Sequence, residues 1–405
     1  THMLEISQIS ALLEKLILPT IQDQLYNKTV LMKYFAKDNK GQTFNNDKIY
    51  ITAQTSGHSW VWFTGATGSI PTGRNTNQQM SVAPKFGYGS HIIWDSALQV
   101  AKGRPGALIS IATDLWNALK LEFQKSLNRQ LFGDWKWSLT TVTTGASSTA
   151  THTVGSTRHL RVWQKLLVGT RVEIEWGTAD SVTVSTINSS TSVTFTTSIT
   201  TVTADVIVVD WVYTGWAYQE LSWIKNLVSN NTVDSGSSFQ WIVRLTNDWT
   251  NSIVDTSSAV LTEAMMIDTL SSISEFGDCD IIVTTPALRN KYASLLQSNK
   301  RYVNTVDLKG WFKGIEVSAW DRPVALVADY DCPTWEMHFL DTSTFSLAQL
   351  NPLEYLKDWN GWIMTNVYDS NGNRLPAYQT TMKFYGNLVC TKPRANARYT
   401  NKTTA

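Results

Sequence analysis

Charge is scarce in this chain. Lys, Arg, Asp and Glu make up 17% of its 405 residues and leave a formal net charge of +1, against roughly a quarter of charged residues in an average soluble domain. Such a surface is poorly defended against association. Two readings stay open at this level: an enzyme with a sticky surface, or a protein that buries much of its surface against copies of itself. Global disorder is not expected, because 42% of the residues are hydrophobic, enough for real cores.

Other absences narrow the field. Cysteine is limited to Cys279, Cys332 and Cys390, far apart and without a C-x-x-C pair, which argues against structural zinc. Cys279 and Cys390 lie in apolar runs and read as buried thiols of a protein folded under reducing conditions. The histidines (His2, His58, His91, His152, His159 and His338) share no metal-ligand spacing. No apolar run reaches the roughly 18 residues of a membrane helix, and no basic-then-apolar leader is expected at the N-terminus. Phosphate-binding loops, G-x-S-x-G elbows, H-E-x-x-H and G-x-G-x-x-G are all missing. Neither a cofactor nor an enzymatic activity is expected.

Two acidic groupings need weighing. Asp278 and Asp280 flank Cys279 and read better as polar caps of a helix-to-strand turn than as an acid–base pair. Asp369-Ser370-Asn371-Gly372-Asn373 starts like a calcium loop, but Arg374 stands where glycine is needed, so it reads as a turn. No acid follows Asp369, whereas Arg374, Lys383, Lys392, Arg394, Arg398 and Lys402 do. This basic end either faces phosphate without sequence preference, through Lys392, Arg394 and Arg398, or is a solvated strand and tail.

What is abundant is tryptophan, with 18 residues. They are spread along the whole chain, which argues for scattered packing over a stacking platform for sugars or bases.

The pattern divides the chain. Residues 1–40 carry a short apolar stripe, interrupted by Pro19 and lacking a local core; they read as an arm that docks elsewhere. Residues 41–89 hold a strand at Lys48–Ala53 and a long Gly-, Ser- and Thr-rich loop of the sort that is usually functional or mobile. From Leu108 to Leu131, Ile111, Leu115, Leu119, Phe123, Leu127 and Leu131 recur every fourth residue. That step draws one narrow stripe along a helix about six turns long, which needs something broad to lie on.

After Phe132-Gly133-Asp134 the composition changes. Between Thr178 and Thr203, 16 of 26 residues are Ser or Thr. Alternation at Val172, Ile174, Trp176, then Val182, Val184, then Val193, Phe195 predicts a small all-β unit over 138–213, with a turn at Asn188-Ser189-Ser190.

Residues 236–350 read as mixed α/β. A helix is predicted at Glu263–Phe276, closed by Gly277 in the left-handed conformation. A strand follows at Cys279–Thr284, then a helix at Ala287–Gln297 opened by Thr285-Pro286. Further strands are predicted at Val324–Ala328, Glu336–Leu340, Trp362–Val367 and Tyr378–Cys390.

This order of parts, with Val82–Trp94 (VAPKFGYGSHIIW), Leu127–Asp134 (LNRQLFGD) and Tyr385–Ala397 (YGNLVCTKPRANA), resembles the major capsid protein of a tailed bacteriophage. The resemblance implies an α+β fold of the Hong-Kong-97 type: an N-terminal arm over 1–40, an extended E-loop over 41–89 and a peripheral domain over 90–137 with a spine helix at 108–132. An inserted β-barrel-like domain would follow over 138–213, a return to the peripheral domain over 214–235, an axial domain over 236–350, and closing strands with a basic C-terminus over 351–405.

It also implies hexamers and pentamers of this chain in an icosahedral shell around double-stranded DNA. Scaffolding, portal and decoration proteins would be partners, with synthesis in a bacterial cytoplasm and residence in the virion. Inter-subunit contacts would fall on Lys48, Trp60, Trp62, Arg74 and Lys85 of the loop and on Leu12, Leu16 and Leu25 of the arm. The sequence departs from the family at Trp135, Trp137, Trp216 and Trp223, where glycine fits the expected turns better. Two other readings compete: a glycan-binding or tail-associated β-rich phage protein, and an encapsulin-like nanocompartment shell.

Overall fold

A single strand, Arg374–Cys390, organises the structure, a computed structural model. The residues it describes are 31, 34–35, 42–45, 48–56, 76–95, 105–133, 138–210, 213–214, 217–234, 238–298, 305–307, 313–318, 323–358, 361–369 and 371–404. One side of the strand pairs with Lys85–Trp94, antiparallel from Ala377↔Trp94 to Gly386↔Lys85. The other side pairs with Phe345–Tyr355 and then Met364–Tyr368. Asn371-Gly372 makes the turn before it, with Gly372 at φ 80°.

The long helix spans Pro105–Leu131. It lies on Lys85–Trp94, whose two glycines admit it. A Cβ on Gly87 would stand 3.2 Å from the Phe123 ring, and one on Gly89 would stand 3.0 Å from Leu119 Cδ1. Leu127 and Leu131 are buried, as the stripe predicts, but so are Lys120, Gln124 and Asn128. A second, polar side of the helix is therefore also covered. Asn128 Nδ2 donates to Asp331 Oδ2 at 2.7 Å and to Asp329 Oδ1 at 3.2 Å.

A seven-stranded sheet runs in the order Ile253–Asp255, Ala397–Tyr399, Met337–Leu340, Ile281–Thr284, Pro323–Ala328, Lys313–Ser318, Thr305–Asp307. Helices Glu263–Ser274 and Pro286–Ser298 pack their apolar faces with it: Met266, Leu270 and Ile273 from the first, Leu288 and Tyr292 from the second, against Ile282, Leu326 and Phe339. Thr262 caps the first helix through Met265 N and Thr285 caps the second through Leu288 N.

Gly277 corrects an expectation. It is not left-handed; the helix ends at Glu275 in the right-handed region. Its reason is space, since a Cβ there would lie 2.5 Å from Ala395 Cβ and 2.8 Å from Asp341 Oδ2. A second correction concerns the C-terminus. Ala397–Tyr399 does not extend the closing strands but sits inside the seven-stranded sheet, parallel to Ile253–Asp255 and antiparallel to Met337–Leu340.

The chain divides into two compact units, one comprising 1–128 with 226–405, the other 129–225. The second contains a closed barrel in the order Val206–Val209, Thr140–Thr144, Ala146–Val154, Ser192–Thr201, Asp180–Ser189, Lys165–Gly169. Val142, Val154, Leu166, Val182, Val184, Val193, Phe195 and Ile207 fill it. Closure removes the strand edges that so many Ser and Thr residues would otherwise expose.

The alternation at Val172, Ile174 and Trp176 misleads. Arg171–Trp176 is a helix, with Thr170 and Glu173 forming a reciprocal capping box and Gly177 closing it at φ 71°. Thr-x-x-Glu is the sequence signature that outweighs the period here. His152 is a satisfied core histidine, with Nδ1 3.1 Å from Thr201 Oγ1 and Nε2 2.8 Å from Thr149 O.

The close approach at Gly277 yields a test. Gly277→Ala should lower the unfolding free energy by about 1–3 kcal/mol, as overpacking of a rigid site does. A urea titration measures it, and a change below about 0.5 kcal/mol would show that the site yields freely.

Candidate assembly surfaces

Three surfaces follow from this fold. The first is the base of the long loop. Lys48–Ser56 pairs with Thr76–Val82, so that Ile49 faces Val82 and Ile51 faces Met80, all four buried. Gln42–Asn45 adds a third strand. The hairpin is moored within its own chain: Ser81 N donates to Gln240 O at 3.3 Å, Gln78 Nε2 to Asn247 Oδ1 at 2.9 Å, and Trp249 Nε1 to Gln78 Oε1 at 3.2 Å.

Of the loop residues expected at subunit contacts, Lys48 holds its ammonium 4.5 Å over the Trp241 ring, a cation–π contact inside the chain. Burial lowers the Lys85 ammonium below its ordinary pKa. Trp60, Trp62 and Arg74 lie outside the described residues, as do the arm residues Leu12, Leu16 and Leu25.

The second surface was not picked out from sequence. Along Lys85–Trp94 one parity carries Gly87, Gly89 and the buried Ile93 towards the helix side. The other presents Phe86, Tyr88, Ile92 and Trp94, all exposed. Phe86 and Tyr88 meet Tyr385 edge-on, at 4.9 and 5.7 Å between ring centroids, and the Tyr88 and Tyr385 hydroxyls are 2.8 Å apart. Among the described residues this strand pairs on one side only. An apolar row on an edge strand is a surface suited to association. Aromatic–glycine alternation in Phe86-Gly87-Tyr88-Gly89 was the signal available.

The third is the basic end, and here the structure overturns part of the expectation. Arg398 is 1% exposed and Lys402 is 0% exposed, because the chain re-enters the seven-stranded sheet. Lys402 Nζ reaches Asp255 Oδ2 at 2.8 Å, Ser257 O at 2.9 Å and Ser257 Oγ at 2.8 Å, so all three ammonium protons are used. Burial pushes the Asp255 carboxyl up, but bonds from Lys402 and Ser257 outweigh it and hold the carboxyl below its ordinary value. Arg394 pairs with Asp248. Of the three candidates only Lys392 is exposed and, among the described residues, without such a pairing.

The acidic groupings serve the fold. Asp280 accepts from Thr342 N at 2.9 Å and from the Thr342 hydroxyl. Asp369 Oδ1 accepts from the amides of Asn371 and Asn373 at 2.9 and 2.7 Å. Burial raises the Cys390 thiol to about 12, and all three cysteines are buried. Among the described residues no three His, Cys, Asp or Glu side chains group as a metal site, and no helix is long and apolar enough to cross a membrane.

The scattered-packing expectation for tryptophan fails at several sites. Trp94, Trp163, Trp176, Trp241, Trp335 and Trp362 are exposed, on strands, helix ends and turns at the periphery. Trp223, where glycine seemed fitting, is buried with an ordinary backbone, while Trp135, Trp137 and Trp216 lie outside the described residues.

No family model and no curated protein matches the sequence. Solved structures do match in fold. The capsid asymmetric unit of cyanophage A-1(L) superposes with a TM-score of 0.50 at 12% identity, covering 94% of this chain and 93% of that one. The capsid of a native GTA particle gives 0.45 at 8% identity, covering 89% and 86%. The SrpI encapsulin complex of Synechococcus elongatus PCC 7942 gives 0.28 at 14%, covering 38% and 54%. The chain therefore has a mixed α+β fold shared with a phage capsid subunit along nearly its whole length.

The Lys402 pocket gives a pH-dependent prediction. The Asp255 carboxyl has its pKa lowered by folding, so the pair's contribution is whole above the usual carboxylate pKa and drains as pH falls through the depressed value. Lys402→Met should cost about 2–3 kcal/mol at pH 7, and the gap to the unmutated chain should narrow below about pH 4. Urea unfolding at pH 7 and pH 3 checks this; a gap that is equal at both would refute the ion pair's role.

Proposed function

We propose that this chain is the major capsid protein of a tailed bacteriophage: a structural subunit, not a catalyst, that assembles as hexamers and pentamers into an icosahedral shell around double-stranded DNA. The observation that carries the reading is the fold shared with the cyanophage capsid subunit over more than nine-tenths of both chains.

Physical features support it. A chain with 17% charged residues and a net charge of +1 brings many copies together without strong mutual repulsion. The apolar row Phe86, Tyr88, Ile92 and Trp94 lies on an edge strand. Weak contacts of this kind become decisive when closed symmetry forms many of them at once. On this reading the loop beyond Ser56, with Trp60, Trp62 and Arg74, and the arm, with Leu12, Leu16 and Leu25, bury on neighbouring subunits. Lys392 is left as the basic residue free to meet DNA phosphates, which it would do without reading sequence. On this reading scaffolding, portal and decoration proteins are its partners, and the virion is its location, after synthesis in the host cytoplasm.

Light scattering across a salt series tests the proposal. The purified chain should convert from small oligomers to particles of uniform size. A monomer that persists at every salt concentration would refute it. DNA that resists nuclease in intact particles from infected cells, and becomes sensitive once they are disrupted, separates the phage shell from a nanocompartment, whose content would be protein.

A further inference from the structure

Three tryptophans sit where a polypeptide wants glycine. Trp163 has φ 68°, Trp241 φ 72° and Trp335 φ 68°. Positive φ in a bulky residue is a genuine outlier, since Cβ crowds the neighbouring carbonyl.

The three settings are alike. Gln164 N donates to Arg161 O at 3.1 Å, so Trp163 is the third residue of a four-residue turn. Glu336 N donates to Pro333 O at 3.2 Å, which puts Trp335 in the same place. With φ positive only at that third residue, both are turns in which glycine is the usual occupant. Trp241 is the second residue of a two-residue hairpin loop between Phe239 and Ile242, with Gln240 at φ 48° before it. That loop takes Asn-Gly or Asp-Gly by strong preference.

Among the described residues little repays the strain. Trp163 is 75% exposed and Trp241 69%, so these two indoles bury little, and Trp335 is still 38% exposed. Lys48 over Trp241 is an exposed-type cation–π contact, worth less than the strain it would have to offset. Trp249 is the contrast. It keeps an ordinary backbone, donates to Gln78 and packs edge-on to Phe239 at 6.2 Å.

We infer that positions 163, 241 and 335 are glycine positions, and that the host that makes this protein inserts glycine there. One codon supplies either residue: UGA, which some bacterial codes read as tryptophan and others as glycine. Exposed tryptophans at these turns are then no platform for sugars, which removes three of the residues on which a glycan-binding reading would draw. Glycine at 241 also removes the ring over which the Lys48 ammonium lies.

Two measurements test this. Trp163→Gly, Trp241→Gly and Trp335→Gly should each raise the unfolding temperature, by about 2–4 °C, whereas Trp249→Gly should lower it. Unchanged or lowered temperatures for the three turn variants would overturn the inference. Peptide masses of the protein taken from its own host should show glycine at the three positions, encoded by UGA. Tryptophan at those positions, or UGG in the gene, would overturn it even if the variants gained stability.

Discussion

Everything in the larger unit depends on how closely a helix can approach one strand. Lys85–Trp94 is held by ten consecutive register pairs to Arg374–Cys390, and the long helix lies on the face where Gly87 and Gly89 leave room for Leu119 and Phe123. Side chains at those glycines would press on Phe123 and Leu119 and loosen this packing. The same alternation that clears one face loads the other with Phe86, Tyr88, Ile92 and Trp94. Packing inside the subunit and the apolar row outside it are thus two consequences of one period-2 pattern.

A second constraint is the return of the C-terminus into the seven-stranded sheet. Ala397–Tyr399 lies between Ile253–Asp255 and Met337–Leu340, which ties the end of the chain to segments some 60 and 140 positions earlier. Burying Lys402 is tolerable because its ammonium is fully engaged by Asp255 and Ser257. Arg244, also buried, spends its guanidinium on the carbonyls of Ser229, Thr250 and Asn226. The few charges of this chain are in part structural, which leaves its outer surface still less charged than its composition indicates.

Much of the secondary structure could be read from periodicity and punctuation. The strand at Tyr378–Cys390, the helix opened by Thr285-Pro286 and the long helix all stand where four-residue steps, alternation and caps put them. Readings failed where a local rule met a tertiary one. Gly277 looked like a helix terminator, and only the fold brings Ala395 against it. Val172, Ile174 and Trp176 alternate like a strand, but the Thr170–Glu173 box decides for a helix. Arg398 looked like a solvated tail residue because strand pairing 60 residues away leaves no mark on neighbouring sequence. The apolar row on Lys85–Trp94 was legible but unread, since alternate aromatics look the same whether they face a core or a partner.

The capsid proposal turns on whether copies of this chain close into a shell. Electron microscopy of the assembled protein, reconstructed to a resolution at which strands separate, examines it most directly. Closed icosahedral particles built of five- and six-fold rings are expected, with the Phe86–Trp94 row covered by protein from the same particle. Dispersed single subunits, or particles in which that row faces open solvent on every copy, would contradict it.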